Sequence, residues 1–324
     1  FQRGYIQSWN LTVQRSLAGG WVGEASYVAT RQTRQLGYTN LNWSPIGGGN
    51  NGRVLFQRFG RSADTREVIP VGGSHYDSLQ TRLQRRFSNN YSLNASYTFG
   101  KAISTSGLAR SDSTLSVIIP EYYYLNRSVS QMDRRHNFQL TNIYQLPFGK
   151  GQRYLNGDGI ASAVFGGWQT NSIVSLMSGR PFSVTSSATS LNSPGNTQRA
   201  DQIKANVEIL GGVGRGQPYF DPTAFQQVTA PRFGNAGYYS MRGPGRVNWD
   251  FGLFRFFQIN ERVKMEARIE AFNFTNTPKF GMPGANVSNL QFSSSGAISN
   301  LNGFGEITSA TEERQLQAGF RITF

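Results

Sequence analysis

One stretch of nine residues alternates apolar and charged side chains without a break, and it restricts the possible folds more than any other feature. The apolar positions are Val263, Met265, Ala267, Ile269 and Ala271, and the charged positions are Lys264, Glu266, Arg268 and Glu270. Successive side chains of a β-strand point to opposite faces of its sheet, so the pattern predicts a strand with one apolar and one charged face. A half-buried strand of a soluble protein has no need for such a row of charges, whereas a water-filled barrel lumen accepts it.

A second strand alternates in the same way and carries aromatic residues at both ends. Tyr91, Leu93, Ala95, Tyr97 and Phe99 share one face and are separated by small polar residues. Aromatic residues at both ends of an apolar stretch are typical of the interfacial belts of a membrane barrel. Similar alternation occurs at 5–13, 21–29, 79–87, 138–146, 168–176, 249–257 and 316–324. The sequence therefore predicts an all-β fold with about nine antiparallel strands that cross a membrane.

The connections between these strands alternate between short and long. Tight turns are predicted at 16–20, 88–90 and 258–262, and a longer connection at 147–167 lies on the same side. The other side carries long loops rich in Gly, Ser, Asn and Pro, at 31–75, 101–135, 180–246 and 275–311. Periplasmic turns and extracellular loops of outer-membrane barrels differ in this way. We therefore expect the chain to lie in a bacterial outer membrane, with membrane lipid as a partner.

Composition excludes several other classes of protein. The chain has 324 residues with 37 Gly, 23 Phe and 14 Tyr, yet a mean hydropathy of −0.43. No apolar run approaches the roughly 18 residues of a membrane-spanning helix. The net charge is +14, but its cations are spread along the chain, and the densest pairs are Arg85-Arg86 and Arg134-Arg135. A nucleic-acid partner is therefore not expected. The chain has no cysteine, which excludes disulfides and cysteine-based metal sites.

The last predicted strand runs to the end of the sequence. Gly319, Ile322 and Phe324 form a pattern that resembles the signal recognised by the barrel-assembly machinery, although Ala318 replaces the usual polar residue before the glycine. Because bacterial single-chain barrels contain even numbers of strands, an odd count of nine indicates either a further strand within a long loop or an incomplete barrel that lacks its N-terminal strands. We expect an open curved sheet of about nine to ten strands. Residues 1–324 would then form the C-terminal part of a barrel whose plug domain and N-terminal strands lie outside this sequence.

Several motifs together resemble the C-terminal barrel of TonB-dependent transporters of the Oar-like type. They are Leu146-Pro147-Phe148-Gly149-Lys150-Gly151, Gly166-Gly167-Trp168-Gln169, Ser178-Gly179-Arg180-Pro181-Phe182-Ser183, Arg242-Gly243-Pro244-Gly245, Trp249-Asp250 and Glu270-Ala271-Phe272-Asn273-Phe274-Thr275-Asn276. The resemblance continues through Pro278, Phe280-Gly281 and Pro283 and is looser before residue 75. It implies a 22-stranded barrel around a plug, with a nutrient bound outside and energy supplied through TonB.

The function expected from this resemblance is uptake across the outer membrane, without catalytic residues or a cofactor. The alternative is a structural or adhesion barrel whose loops bind other surfaces without transport, and a plug domain upstream would distinguish the two. The histidines His75 and His136 are expected at the loop end of the strands without a catalytic role. The glycine-rich segment 211–216 lacks the Lys-Ser/Thr ending of a phosphate loop, and 156–159 has too few oxygen ligands for a calcium loop.

Two sets of residues are the candidates for contact with a ligand or with the plug. Lys264, Glu266, Arg268 and Glu270, here called the polar track, are expected to face the lumen. They would either form a ladder of cross-strand salt bridges or contact the transported substrate. The aromatic candidates lie in long loops, where function often collects, and would either stack on a ligand or pack the loops themselves. They are Tyr122, Tyr123, Tyr124, Tyr238 and Tyr239.

Overall fold

The computed structural model describes residues 2–105, 115–260 and 262–324. The centre of the loop predicted at 101–135 and one residue of the turn predicted at 258–262 fall outside this part of the chain. Nine long strands form one antiparallel sheet, and their bounds are as follows: β1 Tyr5–Leu17, β2 Trp21–Asn40, β3 Arg66–Ser88, β4 Tyr91–Thr105, β5 His136–Gln145, β6 Trp168–Met177, β7 Arg246–Gln258, β8 Lys264–Phe272 and β9 Gln315–Thr323.

The sheet is a meander in which each strand pairs with the next one along the chain. A tenth, short strand, Arg127–Val129, pairs with the loop end of β4. Within the described part of the chain, β1 pairs with β2 alone and β9 with β8 alone, so the sheet is open. All nine predicted strands and the open sheet are confirmed.

The register of the sheet separates the apolar from the polar side chains. Ile269 of β8 lies opposite Leu253 of β7 and Ala318 of β9. Following the paired positions from strand to strand places one set of apolar residues on this same face: Leu93, Ala95, Met265, Ala267, Ile269 and Ile322. The polar track occupies the opposite face, as alternation requires.

The apolar face is not covered by protein. Leu11 and Leu316 are 70% exposed, and Ile269 and Phe320 are 60% exposed. A soluble monomer does not leave a whole sheet face of such side chains in water, because each buried apolar side chain contributes about 1.5–3 kcal/mol. This face is therefore suited to contact with the hydrocarbon interior of a membrane.

Aromatic rings mark both ends of the apolar face. At the turn end, the ring centroid of Tyr91 lies 6.4 Å from that of Trp21 and 6.0 Å from that of Tyr144. At the loop end, Trp249 contacts Phe274 edge to face at 5.0 Å. Tyrosine and tryptophan are enriched at the level of lipid headgroups, so the two groups are consistent with the predicted interfacial belts.

Two strands are at least twice as long as predicted. β2 has 20 residues and β3 has 23, whereas about ten residues cross a bilayer. Their pairing is irregular between Thr33 and Gly37, where Arg34 adopts a φ of 55°. Such bulges disturb the alternation on which the prediction depended. Beyond the bulge, the two strands form a ribbon that extends outside the membrane.

The long loops fold together into one structure, here called the loop cap, which comprises residues 41–65, 115–135, 178–245 and 273–314. It contains helix α1 Val54–Phe59 and the 3-10 turns Pro120–Asn126, Pro222–Ala224 and Val287–Asn289. It also contains four short antiparallel pairs: Pro181–Phe182 with Met241–Arg242, Asp201–Gln202 with Phe225–Gln226, Lys279–Phe280 with Ala310–Thr311, and Gln291–Phe292 with Ile298–Asn300. At the other end of the strands, the short connections contain the 3-10 turn Ala18–Gly20 and helix α2 Ile160–Phe165.

The loop cap has its own hydrophobic core. Phe220 and Phe304 are fully buried and meet edge to face at 5.3 Å. A second cluster joins three different loops through Val117, Leu191 and Trp43. The sequence predicted long loops but not that they pack against one another. No helix among the described residues has the length and apolar character needed to cross a membrane.

Candidate ligand-binding site between the loops

Two of the glycine-containing motifs leave the sheet side by side. Residues 178–183 follow β6 and residues 242–245 precede β7, and the two segments pair through Pro181 opposite Arg242. A Cβ on Gly179 would overlap the carbonyl oxygen of Gly243, so only glycine permits this close backbone approach. The motifs thereby bring together the two arginines that they contain.

Four arginines meet at this point, and we call them the arginine cluster: Arg134, Arg180, Arg242 and Arg246. Arg134 donates a 2.5 Å hydrogen bond from Nη1 to the carbonyl oxygen of Ser178. Arg242 donates from Nη1 to the carbonyl oxygen of Gly179 at 3.3 Å. Arg246 begins β7 and lies opposite Met177, on the polar face of the sheet. The cluster therefore lies where the polar face meets the loop cap.

A single carboxylate is bound within this cluster. Asp133 is 2% exposed, forms an ion pair with Arg242, and accepts a 2.7 Å hydrogen bond from the backbone N–H of Ala102. In the described part of the chain, no carboxylate lies within ion-pair distance of the other three arginines. Partial burial, and then the guanidiniums of Arg180, Arg246 and Arg242, lower the pKa of Arg134. Such a guanidinium still carries its charge, and the three neighbouring guanidiniums add positive charge beside it.

A cavity of about 680 Å³ opens beside the cluster. Its lining combines polar, aromatic and apolar side chains, among them Gln131, Arg180, Ser183, Tyr238, Tyr239 and Met282. Arg180 belongs both to this wall and to the arginine cluster. Small-molecule sites in proteins occupy about 300–1,000 Å³ and combine apolar walls with a few polar groups, so size and lining both suit a ligand.

The two tyrosines of the cavity are fixed by hydrogen bonds. Tyr238 donates from its hydroxyl to the carbonyl oxygen of Thr197 at 2.9 Å, and Tyr239 donates to Oε1 of Gln131 at 3.4 Å. Ser183 accepts a hydrogen bond from the backbone N–H of Tyr239. Burial raises the pKa of both phenols, so both stay protonated at neutral pH.

The structure separates the five candidate tyrosines. Tyr238 and Tyr239 line the cavity, whereas Tyr122 packs on Phe233 at 5.3 Å in the core of the loop cap. Tyr123 shares a 2.8 Å hydrogen bond with the hydroxyl of Thr39. Tyr124 is 69% exposed. Tyr122 and Tyr123 therefore pack within the protein, which is one of the two predicted alternatives. The other alternative, ligand contact, stays a prediction for Tyr238 and Tyr239.

The polar track is held together along one strand. Nε of Arg268 lies 3.3 Å from Oε2 of Glu270, and its Nη1 lies 3.7 Å from Oε1 of Glu266. These ion pairs join neighbours on β8, whereas the sequence had predicted pairs across strands. Lys264 lies at the turn end of the track, opposite Thr323 of β9. Contact of the track with a plug or substrate stays a prediction.

The remaining candidates fit structural roles. Nδ1 of His136 shares a 2.8 Å hydrogen bond with the hydroxyl of Tyr97, and Nδ1 of His75 lies 3.2 Å from Nη2 of Arg127. In the glycine-rich segment, the backbone N–H of Gly216 donates to the carboxylate of Glu306. The described residues contain no cluster of side chains suited to a metal ion.

Sequence reasoning missed the arginine cluster. Its members are spread over more than 100 positions, and no contiguous basic run marks them. The sequence feature that could have indicated the cluster is the pair of glycine motifs at 178–183 and 242–245, because each contains an arginine beside a glycine. Only their pairing in the fold shows that these arginines meet.

An open sheet with one apolar face, two aromatic belts, short turns and a folded loop cap defines this chain as a portion of an outer-membrane β-barrel. The sequence matches the family model of the outer membrane beta barrel domain over residues 1–317, and the chain belongs to this family. The predicted fold class and the bacterial outer membrane as its location are thereby confirmed. Among curated proteins, none matches the sequence.

Comparison with solved structures found outer-membrane transporters and receptors. The outer membrane transporter YddB from Escherichia coli matches 99% of this chain and 32% of its own, with a TM-score of 0.50 and 8% identity. FpvA of P. aeruginosa, solved with iron-loaded pyoverdine, matches 98% and 27%, with a TM-score of 0.41 and 8% identity. The ferric-catecholate import receptor Fiu of E. coli K12 matches 98% and 38%, with a TM-score of 0.33 and 11% identity. The chain thus spans about a third of these proteins, and the likeness to YddB concerns the fold alone.

Proposed function

We propose that this chain forms the C-terminal part of the barrel wall and the extracellular ligand-binding loops of a TonB-dependent transporter. The observation that supports this function best is the loop cap. It is a folded structure with its own core, and a cavity within it lies beside the polar face of the sheet. A ligand bound there would be held outside the membrane at the entrance to the lumen.

In this proposal, the full-length protein supplies the parts that this chain lacks. The open edges of β1 and β9 pair with further strands, and a plug domain fills the lumen and contacts TonB. The barrel-assembly machinery inserts the protein through its last strand. No bond of the ligand is broken, so the protein is a receptor and transporter and not an enzyme.

Comparison of the compounds that cells remove from their medium tests the proposal. Wild-type cells, cells lacking this gene and cells lacking TonB are grown in the same complex medium, and the spent media are compared by mass spectrometry. We expect at least one compound that only the wild type depletes. Identical depletion by wild-type and gene-deleted cells would contradict transport, and loss of surface attachment in the deleted cells would instead support the adhesion function.

A matched pair of variants connects uptake to the cavity. Tyr239→Ala removes a ring from the cavity wall, whereas Tyr154→Ala removes a similarly sized ring on the turn side, next to Phe148. We expect Tyr239→Ala to reduce uptake of the identified compound about tenfold or more while surface levels stay unchanged. Tyr154→Ala should leave uptake at the wild-type rate.

A further inference from the structure

We propose that the ligand of this site carries an oxyanion group, a carboxylate or a phosphate, which the arginine cluster binds. This inference rests on the proposed function, because it names the chemical class of the ligand held at the same cavity. It follows from three observations: the missing counter-charge, the arrangement of the guanidiniums, and the character of the neighbouring cavity wall.

Some cations of the loop cap are neutralised by an adjacent carboxylate, whereas most of the arginine cluster is not. Lys204 lies 2.6 Å from Asp221, Arg232 lies 2.7 Å from Asp201, and Arg53 lies 2.7 Å from Asp64. In the cluster, Arg242 is paired with Asp133, and the described part of the chain places no carboxylate within ion-pair distance of the other three arginines. Positive charge gathered at one place without carboxylate partners favours the binding of an anion.

The anchoring of the arginines leaves guanidinium groups available to a ligand. Arg242 is occupied by Asp133 and by the carbonyl oxygen of Gly179. Arg180 and Arg246 are exposed and have no carboxylate partner in the described part of the chain. An arginine presents five N–H donors in a planar fork, which suits the two oxygens of a carboxylate or phosphate.

The cavity wall extends this anion site toward a larger ligand. Arg180 stands at the boundary, and Tyr239 and Gln131 add neutral polar groups beside it. Phe182 and Met282 contribute apolar surface. The ligand class that fits is therefore a small organic molecule with an apolar or aromatic body and an anionic end, held outside the membrane at the loop end of the polar face.

Isothermal titration of the full-length protein in detergent tests this assignment with two probes, citrate and pyrophosphate. Both titrations use constant ionic strength, since surface charges are screened by salt, and maltose serves as the neutral probe. We expect at least one anion to bind and maltose not to bind. Arg180→Gln and Arg246→Gln should each weaken anion binding about tenfold or more, because each removes a charged donor pair. Arg58→Gln, an exposed cation on helix α1, should leave it unchanged.

Two controls keep the test decisive. Migration of unheated protein on a gel shows whether each variant is folded, and Arg180→Lys, which keeps the charge without the fork, should restore part of the binding if the glutamine variant is unstable. Equal anion binding by the wild type, Arg180→Gln and Arg246→Gln would overturn the inference, as would the absence of binding by both anions. Variants that lose only stability would show that a segment of the protein, and not a ligand, neutralises the cluster.

The inference and the proposed function fail in different ways. If anions bind and the arginine variants abolish binding, but TonB-deficient cells deplete the medium normally, the anion site stands and the transport function is wrong. If depletion depends on TonB and on this gene, but the depleted compound is neutral and the arginine variants take it up normally, transport stands and the anion site is wrong.

Discussion

The side chain of Arg268 lies across Gly319 of the neighbouring strand. A Cβ at residue 319 would stand 2.8 Å from Nε and 3.2 Å from Cγ of Arg268, so a side chain there would displace the arginine. In its observed position, Arg268 contacts Glu270 and Glu266 on its own strand. The glycine assigned by its sequence pattern to the assembly signal therefore also makes room for the central residue of the polar track.

Gly319→Ala should destabilise the barrel through Arg268. The added methyl group displaces the arginine from its two ion pairs, and because part-exposed ion pairs are each worth about 0–1 kcal/mol, we expect a loss of about 1 kcal/mol. Unfolding by urea in a detergent or bilayer system measures the loss. In the double variant Arg268→Ala with Gly319→Ala, the alanine at 319 has no arginine to displace, so its added cost should fall to near zero. A cost that is the same in both backgrounds would contradict the proposed coupling.

Charge should be tolerated on one face of β8 and not on the other. Ala267→Arg places a cation on the apolar face near the middle of the strand, and we expect a loss of about 2–4 kcal/mol in folding free energy. Arg268→Lys keeps a cation on the polar face and should change stability little. Both variants are compared by unfolding in lipid vesicles, and an equal loss for the two would show that the faces are wrongly assigned.

The strands of the sheet could be predicted from sequence because the alternation of apolar and polar residues within a strand is a local pattern. Alternation along β8, as at Met265 and Glu266, requires only that neighbouring side chains point to opposite faces, whatever the rest of the chain does. Turn lengths then fixed the order of the strands. The prediction was incomplete at Arg34, where a bulge ends the simple alternation but the strand pair continues.

The loop cap and the arginine cluster could not be predicted in this way. Phe220 and Phe304 are in contact although 83 residues lie between them in the sequence. Irregular segments have no periodic pattern from which such a contact could be predicted. Arg134 and Arg246 likewise lie in loops or at strand ends that only tertiary structure brings together. The tyrosines were correctly found as aromatic loop residues, but which of them face a cavity depends on packing.

Acid should loosen the loop cap through Asp201. This carboxyl is 4% exposed, and the hydrogen bond from Arg232 lowers its pKa. Because the folded pKa lies below the unfolded value of about 3.9, the stabilisation is complete above that value and is lost as the pH falls through the folded pKa. We expect protease resistance of the loops to decline below about pH 4 in the wild type.

Two variants isolate this contribution. Asp201→Asn removes the charge, should lower loop stability at neutral pH by about 1–3 kcal/mol, and should flatten the acid dependence. Asp158→Asn alters the exposed ion pair with Lys150 and should leave the acid dependence unchanged. Parallel acid profiles for the wild type and Asp201→Asn would show that other carboxylates control the transition.

The polypeptide 1–324 should not close into a pore by itself. β1 has 13 residues and β9 has 9, and in each strand about half of the backbone N–H and C=O groups face an open edge. Each such group unsatisfied in hydrocarbon costs several kcal/mol, so two exposed edges exceed the roughly 5–15 kcal/mol stability of an ordinary domain. Pairing β1 with β9 would satisfy these groups, but the charged polar track would then crowd into an interior barely wide enough for side chains. The absence of cysteine from this sequence makes the test clean. With cysteines introduced at Asn10 and Gln317, the isolated polypeptide in vesicles should form no disulfide between β1 and β9, whereas a closed nine-strand barrel would bring these two strands together.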